Sequence, residues 1–348
     1  MLFDIINANI EKMVIHKIGS RTDNTENTYS KKCMDLASDS PIQMLKQYFL
    51  SSFREPVLYH FEGLNHVSDN IVYKSACAIF DNPELFYEHS RILASHLYES
   101  STHPQIKSGE FYLVLFNNVR IFDEDVRCLG IFKSENKETY LKIYPGQDSF
   151  DINCEEGINI RKMDKGCLIF DVERESGFVA SLVDKVSKQE ALYWKNDFLS
   201  MEERQDNNFF TKNYLDMCKG FVNEVFTQEG NVPRTDQIGM LNRSINYFKD
   251  NTMFSEDKFN DEVLAVPEVV DAFSQYRERY ADENDVSFGD EFKISPEIVK
   301  KENKNFKSVL KLDKNFHLYI HGGHQFIEKG FDEQHGLHYY KLYFERES

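Results

Sequence analysis

The 348-residue chain is 41 % hydrophobic and 14 % aromatic, which supplies the apolar side chains of a sizeable core and excludes wholesale disorder. Its length exceeds one compact core of roughly 150 residues and predicts two or three domains. The formal net charge of −17 argues against a protein whose whole surface coats DNA, because most of that surface repels phosphate.

The amino terminus and the cysteines both indicate an intracellular protein. Asp4 follows only three residues, so the chain lacks the basic and then apolar order of a signal peptide. No stretch approaches the ~18 uninterrupted apolar residues of a membrane span. The six cysteines are scattered without any CxxC pair, which favours small core side chains in a reducing cytoplasm over a zinc site or disulfides.

The first part of the chain mixes strand and helix patterns. A strand is predicted over residues 10–18, and Ser40-Pro41 marks a helix start, with serine as the N-cap and proline in the first turn. A second helix is predicted over about 70–80, and Asn82-Pro83 caps a third. These helices need a sheet, or one another, to bury their apolar faces.

Five short segments rich in β-formers follow and predict that sheet: residues 111–116, 126–132, 140–143, 167–172 and 178–183. Residues 133–138 and 173–177 supply turns, and short turns imply that consecutive strands are antiparallel neighbours. The pattern predicts an α+β fold with N-terminal mixed helices and a largely antiparallel sheet, and excludes a doubly wound parallel sheet.

The remainder is predicted to be a helical middle section followed by a small C-terminal antiparallel β-meander. Candidate helices cover residues 191–201, 209–227, 234–249, 255–264 and 268–280. An acidic loop is predicted at 282–290, and alternating and aromatic residues at 316–321 and 337–344 predict strands. We therefore expect an N-terminal α+β domain at 1–186, a helical region at 187–290 and the meander with a basic stretch at 291–348. The last two are also compatible with a single domain.

The negative charge is unevenly distributed. Residues 221–290 carry 6 basic against 15 acidic side chains, whereas residues 291–348 carry 10 basic against 9 acidic ones. Lysines cluster within 293–314, and those that we predict to contact DNA are Lys300, Lys301, Lys304, Lys307 and Lys311. A solvated lysine face without a ligand is the alternative interpretation of this stretch.

Five of the eleven histidines lie within residues 317–338 and raise the question of a metal site. His321 and His324 flank Gly322-Gly323, so a two-residue hairpin would place their imidazoles across from each other. His335 or His338 could add a third ligand from the next strand. A hairpin without a metal explains the same residues, and we predict no cofactor.

One group of acidic residues raises the hypothesis of a metal-dependent nuclease. Glu135 and Lys137 form an ExK spacing after the predicted strand 126–132, with Asp123 and Asp125 upstream. The same residues are also typical of a turn between two strands. Phosphate-loop, dinucleotide-binding, nucleophile-elbow and HExxH motifs are absent from the sequence.

Several stretches, in order along the chain, resemble the NdpA family of bacterial nucleoid-associated proteins, particularly a branch found in Bacteroidetes-like bacteria. They are HKIG at 16–19, STHPQIKSGE at 101–110, GIFKSENK at 130–137, DKGCLIF at 164–170 and YWKNDFL at 193–199. The resemblance covers most of the chain. Trp194, the only tryptophan, lies in the last of them and is predicted to anchor a core or interface, with base stacking as the functional alternative.

The resemblance implies a cytoplasmic protein of the bacterial nucleoid, without a catalytic site to carry over. Together with the charge pattern it predicts a non-enzymatic protein that contacts DNA weakly and without sequence preference, directly or through a protein partner. The first alternative is a scaffold that recruits DNA enzymes through its acidic helical region, and the second is the Mg²⁺-dependent nuclease. Other nucleoid proteins are candidate partners, a membrane is not, and a homodimer is compatible with the sequence.

Overall fold

The computed structural model describes residues 3–36, 39–53, 57–63, 66–147, 149–185, 193–227, 232–306, 309–319 and 326–346. The chain forms two compact units, Met1–Arg204 and Gln205–Ser348. Within the described ranges, no helix is both long and apolar enough to cross a membrane.

In its described residues, the N-terminal unit contains the large sheet and three α-helices. Its strands are β1 (Phe3–Asp4), β2 (Asn9–Ile18), β3 (Thr28–Tyr29), β4 (Tyr59–Phe61), β5 (Gly109–Ile121), β6 (Glu124–Ser134), β7 (Glu138–Pro145), β8 (Phe150–Gly157), β9 (Lys165–Phe170), β10 (Val179–Asp184) and β11 (Met201–Glu203). Its helices are α1 (Asp39–Leu50), α2 (Ile71–Asp81) and α3 (Phe86–Ser100). Short 3₁₀ turns at Val67–Asp69, Pro83–Leu85 and Arg174–Ser176, and a π-helical turn at Tyr193–Leu199, complete this unit.

Antiparallel pairing joins the strands in the order β11-β4-β10-β9-β6-β5-β2-β3, and β1 adds to the end of β5. Both faces of this sheet are covered. Leu113 and Leu115 of β5 pack in one core with α2 and α3, while Tyr112 and Val114 pack in a second core with α1. Because alternate side chains of a strand point to opposite faces, burial on both faces explains the continuous apolar run at residues 111–116. The α+β class with a largely antiparallel sheet is thus confirmed.

The path after β6 differs from the sequence prediction. We expected β6 and β7 to be antiparallel neighbours, but β6 pairs with β9, and β7 pairs with β8 in a separate two-stranded sheet. The prediction was wrong because every residue of β9 is buried, so β9 takes the edge of β6, while β7 alternates apolar with polar residues and stays outside. The sequence patterns also missed β8.

The described residues of the C-terminal unit form helices and three small antiparallel sheets. Its helices are α4 (Asn207–Glu224), α5 (Arg234–Asp250), α6 (Glu256–Phe259), α7 (Pro267–Asn284) and α8 (Pro296–Glu302), with a π-helical turn at Asn260–Leu264 and a 3₁₀ turn at Asn303–Phe306. Its strands are β12 (Met253–Ser255), β13 (Glu291–Lys293), β14 (Val309–Leu312), β15 (Phe316–Tyr319), β16 (Ile327–Asp332) and β17 (Leu337–Leu342). The core centres on Tyr214, whose buried ring contacts Phe248, Phe254 and Phe292.

Several helix predictions for this region need correction. The predicted helix 191–201 is a π-helical turn that ends at Leu199, followed by β11. Helix 255–264 divides into α6 and the second π-helical turn, and α7 extends to Asn284 into the predicted acidic loop.

The C-terminal meander is, in the part of the chain that the structure describes, two separate hairpins, β14–β15 and β16–β17. Three-residue strands such as β12 and β13 are too short to show a period in the sequence.

Candidate nucleic-acid interface

The predicted lysine stretch begins on α8, which Ser295 starts by accepting a hydrogen bond from the backbone of Ile298. Lys300 and Lys304 lie four residues apart, on α8 and the following 3₁₀ turn, and both side chains are exposed. Lys301 is also exposed but already makes another interaction. This part of the stretch therefore offers two cations on neighbouring turns.

The other two predicted lysines lie wholly or partly outside the described residues. Lys307 lies outside the described residues. Lys311 is on β14, where its backbone pairs with His317 of β15, but its side chain is outside the described part. Their contact with DNA stays a prediction.

The one carboxylate within α8's last turn points away from the solvent. Glu302 is 8 % exposed and accepts hydrogen bonds from Lys219 and Asn305, at 2.9 and 2.8 Å. Burial opposes its ionisation, but the hydrogen bonds from Asn305 and Lys219 outweigh burial and lower the pKa of Glu302. The acid is therefore ionised and forms its ion pair with Lys219, not with Lys300.

A groove of about 440 Å³ opens beside Lys300 and brings it together with Lys249 and Lys293. We call this the basic groove. Besides the three lysines it is lined by Asp250, Asn251, Thr252, Pro296 and Asn303, with Phe248, Ile294 and Val299 as its buried floor. The three lysines come from the end of α5, from β13 and from α8, so tertiary structure alone makes them neighbours.

Two local features hold the walls of the basic groove. At the end of α5 the side-chain amide of Asn251 donates to the Tyr247 carbonyl at 2.9 Å, which caps the helix. The backbone N–H of Ile294 then donates to the Thr252 carbonyl at 2.9 Å, next to the Met253–Lys293 pair of β12 and β13. The backbones that carry Lys249 and Lys293 are therefore fixed relative to each other.

The electrostatics of the basic groove favour an anion. Lys249, Lys293 and Lys300 are exposed, and none of them forms an ion pair with a carboxylate within the described ranges. Asp250 is the single acid among the described lining residues, which gives them a formal excess of two positive charges. Ammonium groups act as point charges toward phosphate, and the amides of Asn251 and Asn303 add neutral polar groups. The groove has the volume of a small-ligand site.

Sequence reasoning did not single out Lys249 and Lys293. Lys249 ends the predicted helix 234–249, and Lys293 opens the lysine-rich segment, but nothing in their spacing joins them to Lys300. A lysine in the last turn of a predicted helix, followed by the polar residues Asn251 and Thr252, is the only available hint.

The residues of the nuclease hypothesis have other partners. Glu135 accepts hydrogen bonds from the buried Lys133 and from the hydroxyl of Tyr193, both at 2.7 Å. Lys137 forms an ion pair with Glu110 at 2.9 Å, which is the main reason that the pKa of Lys137 is raised. Asp125 is the second residue of β6 and Glu135 follows the end of that strand, so β6 separates the two acids by roughly 30 Å. The structure does not bring these groups to one metal site.

Glu135 belongs instead to a buried polar cluster at the sheet end. Lys133 and Lys165 are paired neighbours on β6 and β9, and both are fully buried beside the ring of Tyr193. Lys165 donates to Asp184 at 3.0 Å, as Lys133 does to Glu135. Each buried ammonium thus has its own carboxylate, which is the requirement for keeping a charge out of water.

The histidine pair cannot be placed, because His321 and His324 lie outside the described residues. His335 is on the surface, where it contacts Asp332 at 2.9 Å, and His338 lies against the ring of Phe331. Within the described ranges, no group of three His, Cys, Asp or Glu side chains has the arrangement of a metal site.

Trp194 is fully buried in the core that α2 and α3 form with the sheet, and its ring contacts Phe198 at 5.0 Å between centroids. A base cannot stack on a ring without exposed surface. The prediction of a core anchor is therefore confirmed, and the base-stacking alternative is wrong.

Comparison with known families gives one decisive match. The family model described as nucleoid-associated protein YejK matches residues 14–333. The chain belongs to this nucleoid-associated protein family. The match covers both units and includes Lys249, Lys293 and Lys300, and it confirms the family that the sequence resemblance indicated without distinguishing its branches. No curated protein matches the chain.

Proposed function

We propose that the protein is a non-enzymatic member of the YejK family that associates with DNA through phosphate contacts in the basic groove. The observation that carries this proposal is the convergence of Lys249, Lys293 and Lys300 around one groove, with Lys304 exposed on the next turn. Family membership supplies the nucleoid as the setting.

The contacts would be tolerant of sequence. Lysine binds phosphate as a compact point charge, whereas reading a base edge needs side chains in a groove of the duplex with defined donors and acceptors. Phosphate contacts position a protein on DNA but carry no sequence information. We therefore expect similar affinity for duplexes of different sequence.

The acidic remainder of the molecule is compatible with this mode of binding. At physiological salt the Debye length is roughly 8 Å, so an exposed carboxylate farther than that from the phosphate contributes little repulsion. The net charge of −17 nevertheless lowers the encounter rate, and weak association is the expected result.

The decisive experiment is charge reversal in the groove. The triple variant Lys249→Glu, Lys293→Glu and Lys300→Glu should weaken duplex binding at least about tenfold, because three attractive phosphate contacts become repulsive. The matched control is Lys17→Glu, Lys31→Glu and Lys32→Glu, which reverses three exposed lysines of the N-terminal unit.

The net charge changes by the same amount in both triple variants. Once this change is allowed for, the affinity of the control for duplex DNA should stay within about twofold of that of the unmodified protein. Equal weakening in both triple variants would reduce the effect to net charge and reject the groove. Plasmid DNA should also remain intact with Mg²⁺ or Mn²⁺, and cleavage would reject the non-enzymatic part of the proposal.

A protein-interaction scaffold is the second candidate, because one specific feature favours it. A second groove in the C-terminal unit, of about 590 Å³, is lined by Asp257, Asp261 and Asp271, with Ala265, Pro267 and Val270 as its apolar part. This acidic groove suits a basic segment of a partner, since opposite charges steer the encounter and apolar contacts hold the complex.

Affinity capture of the protein after nuclease digestion separates the two candidates. Partners that survive digestion and are lost from the variant Asp257→Lys and Asp271→Lys would support the scaffold. Loss of all partners on digestion, with unchanged DNA binding by that variant, would favour direct association with DNA.

A further inference from the structure

The hairpin of β7 and β8 presents an unusual surface. Among the described strands, β7 and β8 pair only with each other, and nearly all of their side chains are exposed. An isolated two-stranded ribbon in water is marginally stable without a cover for one face. We call this hairpin the arm.

The register of the arm divides its side chains into two contrasting faces. Paired residues share a face, and the pairs Leu141–Cys154, Ile143–Ile152 and Pro145–Phe150 therefore lie together on one side. The large members are far more exposed than core residues: Leu141 is 62 %, Ile143 61 %, Ile152 62 % and Phe150 68 % exposed.

The opposite face is polar and internally satisfied. Glu155 accepts hydrogen bonds from Tyr140 at 2.9 Å and from Lys142 at 3.1 Å, and Glu138 forms an ion pair with Lys162 at 2.8 Å. This face behaves as an ordinary solvated surface. The apolar face is the one that lacks a partner in the described part of the molecule.

We propose that the apolar face of the arm is a self-association surface, and that its occupant is the same face of a second copy of this chain. DNA is a poor candidate, because residues 138–157 carry five carboxylates and one lysine. A basic partner is also disfavoured, since Glu138 and Glu155 already have cationic neighbours and the apolar face holds only one charge, that of Glu156.

Two identical faces fit together by shape. We place the two-fold axis between the two arms, perpendicular to their strands, at the level of the Ile143–Ile152 pair. Each isoleucine then meets its own copy, and Cys154 of one arm lies opposite Phe150 of the other. A small residue opposite a large one permits close packing, and Glu156 lies beyond the tip of the other arm, in solvent. The result is a two-layer, four-stranded sandwich with its sheets ~10 Å apart.

The buried area is sufficient for a specific, modest interface. Each of the four large side chains exposes more than three fifths of its surface. Covering them and their smaller neighbours in both copies would bury roughly 1,000 Å² of solvent-accessible surface in total, which is the lower bound of a biological interface. We therefore expect a dimer that dissociates on dilution.

Sedimentation equilibrium of the full chain over a concentration series tests the proposal. The mass should rise from the monomer value of 40.9 kDa toward twice that value. Ile143→Asp with Ile152→Asp should weaken self-association at least about 100-fold, because it forces carboxylates into an apolar interface. The control, Tyr144→Asp with Asn153→Asp, places the same two charges on the opposite face and should still dimerise.

Cys154 provides a second readout within the same face. It is the exposed cysteine of the six, so a maleimide should modify it first, and peptide mapping identifies the modified thiol. The modification rate should fall as protein concentration rises, but not in the Ile143→Asp, Ile152→Asp variant. A monomeric protein at every concentration, or a dimer that this variant leaves intact, would overturn the proposal.

Discussion

His16 shows how one buried side chain makes stability depend on pH. The backbone N–H of Ser30 donates to its Nδ1 at 3.1 Å, so the proton of the neutral ring is on Nε2, which donates to the Ser90 hydroxyl at 2.9 Å. Burial lowers the pKa of His16 from 6.5 to about 4. The imidazole is therefore neutral in the folded protein at neutral pH.

We predict that His16 destabilises the fold in mild acid. Its neutral form is favoured by folding, so this contribution is complete above pH 6.5 and is lost as the pH falls from 6.5 to about 4, by up to about 3 kcal/mol. Denaturant unfolding at several pH values gives the slope of the free energy of unfolding against pH. This slope should be smaller in His16→Gln than in the unmodified protein. The exposed His317→Gln should keep the original slope. Equal slopes in all three proteins would refute the assignment.

At the scale of the elements, asparagine side chains cap the start of α2 and the start of the 3₁₀ turn that leads into α3. Asn70 accepts hydrogen bonds from the backbone N–H groups of Val72 and Tyr73, and its amide donates to the Leu199 carbonyl at 2.7 Å. It thereby joins the start of α2 to the chain before β11. The side chain of Asn82, by comparison, accepts one hydrogen bond, from the backbone N–H of Glu84 at 3.2 Å.

The two caps should differ in their energetic weight. Asn70→Ala removes the cap and leaves a buried carbonyl without its donor, and should lower the free energy of unfolding by about 2–3 kcal/mol. Asn82→Ala removes a more exposed cap and should cost about 1 kcal/mol or less. Thermal or denaturant unfolding measures both. A loss at Asn82 equal to that at Asn70 would contradict the role of the Leu199 contact.

For the whole molecule, the proposed association with DNA must be reconciled with a net charge of −17. Lys249, Lys293 and Lys300, from α5, β13 and α8, line one groove, and Lys304 is exposed on the 3₁₀ turn that follows α8. Local charge density, more than net charge, then decides whether a phosphate is bound, because salt screens the distant acids.

The number of phosphate contacts is measurable from the salt dependence. If these four lysines each neutralise one phosphate, the logarithm of the binding constant should fall with the logarithm of salt concentration with a slope of about −3.6. The triple groove variant should reduce the magnitude of this slope to about 1, that of the remaining Lys304. A slope near zero in the unmodified protein would exclude direct phosphate contact.

Local chemistry made much of the fold predictable from the sequence. The helices α2 and α3 were predicted from Asn70, Asn82 and Pro83, and β5 was predicted from the apolar run at 111–116. These predictions were possible because capping and burial on both faces of a strand depend on residues that are close in sequence. The α+β class and the family followed from such segments. For the candidate site, the same level of reasoning singled out Lys300 as a DNA-contact prediction but could not show that Lys300 lines a groove.

Tertiary structure decided the pairing of strands and the grouping of distant charges. That β6 pairs with β9 while β7 and β8 form an arm depends on which edge buries more apolar surface, and that comparison exists only in the folded chain. Lys249 and Lys293 join Lys300 only because Thr252 and Ile294 hold two remote segments together. The sequence determined which residues are apolar, charged or capping, and the packing of the core determined which of them meet, because contacts between remote segments leave no period in the chain.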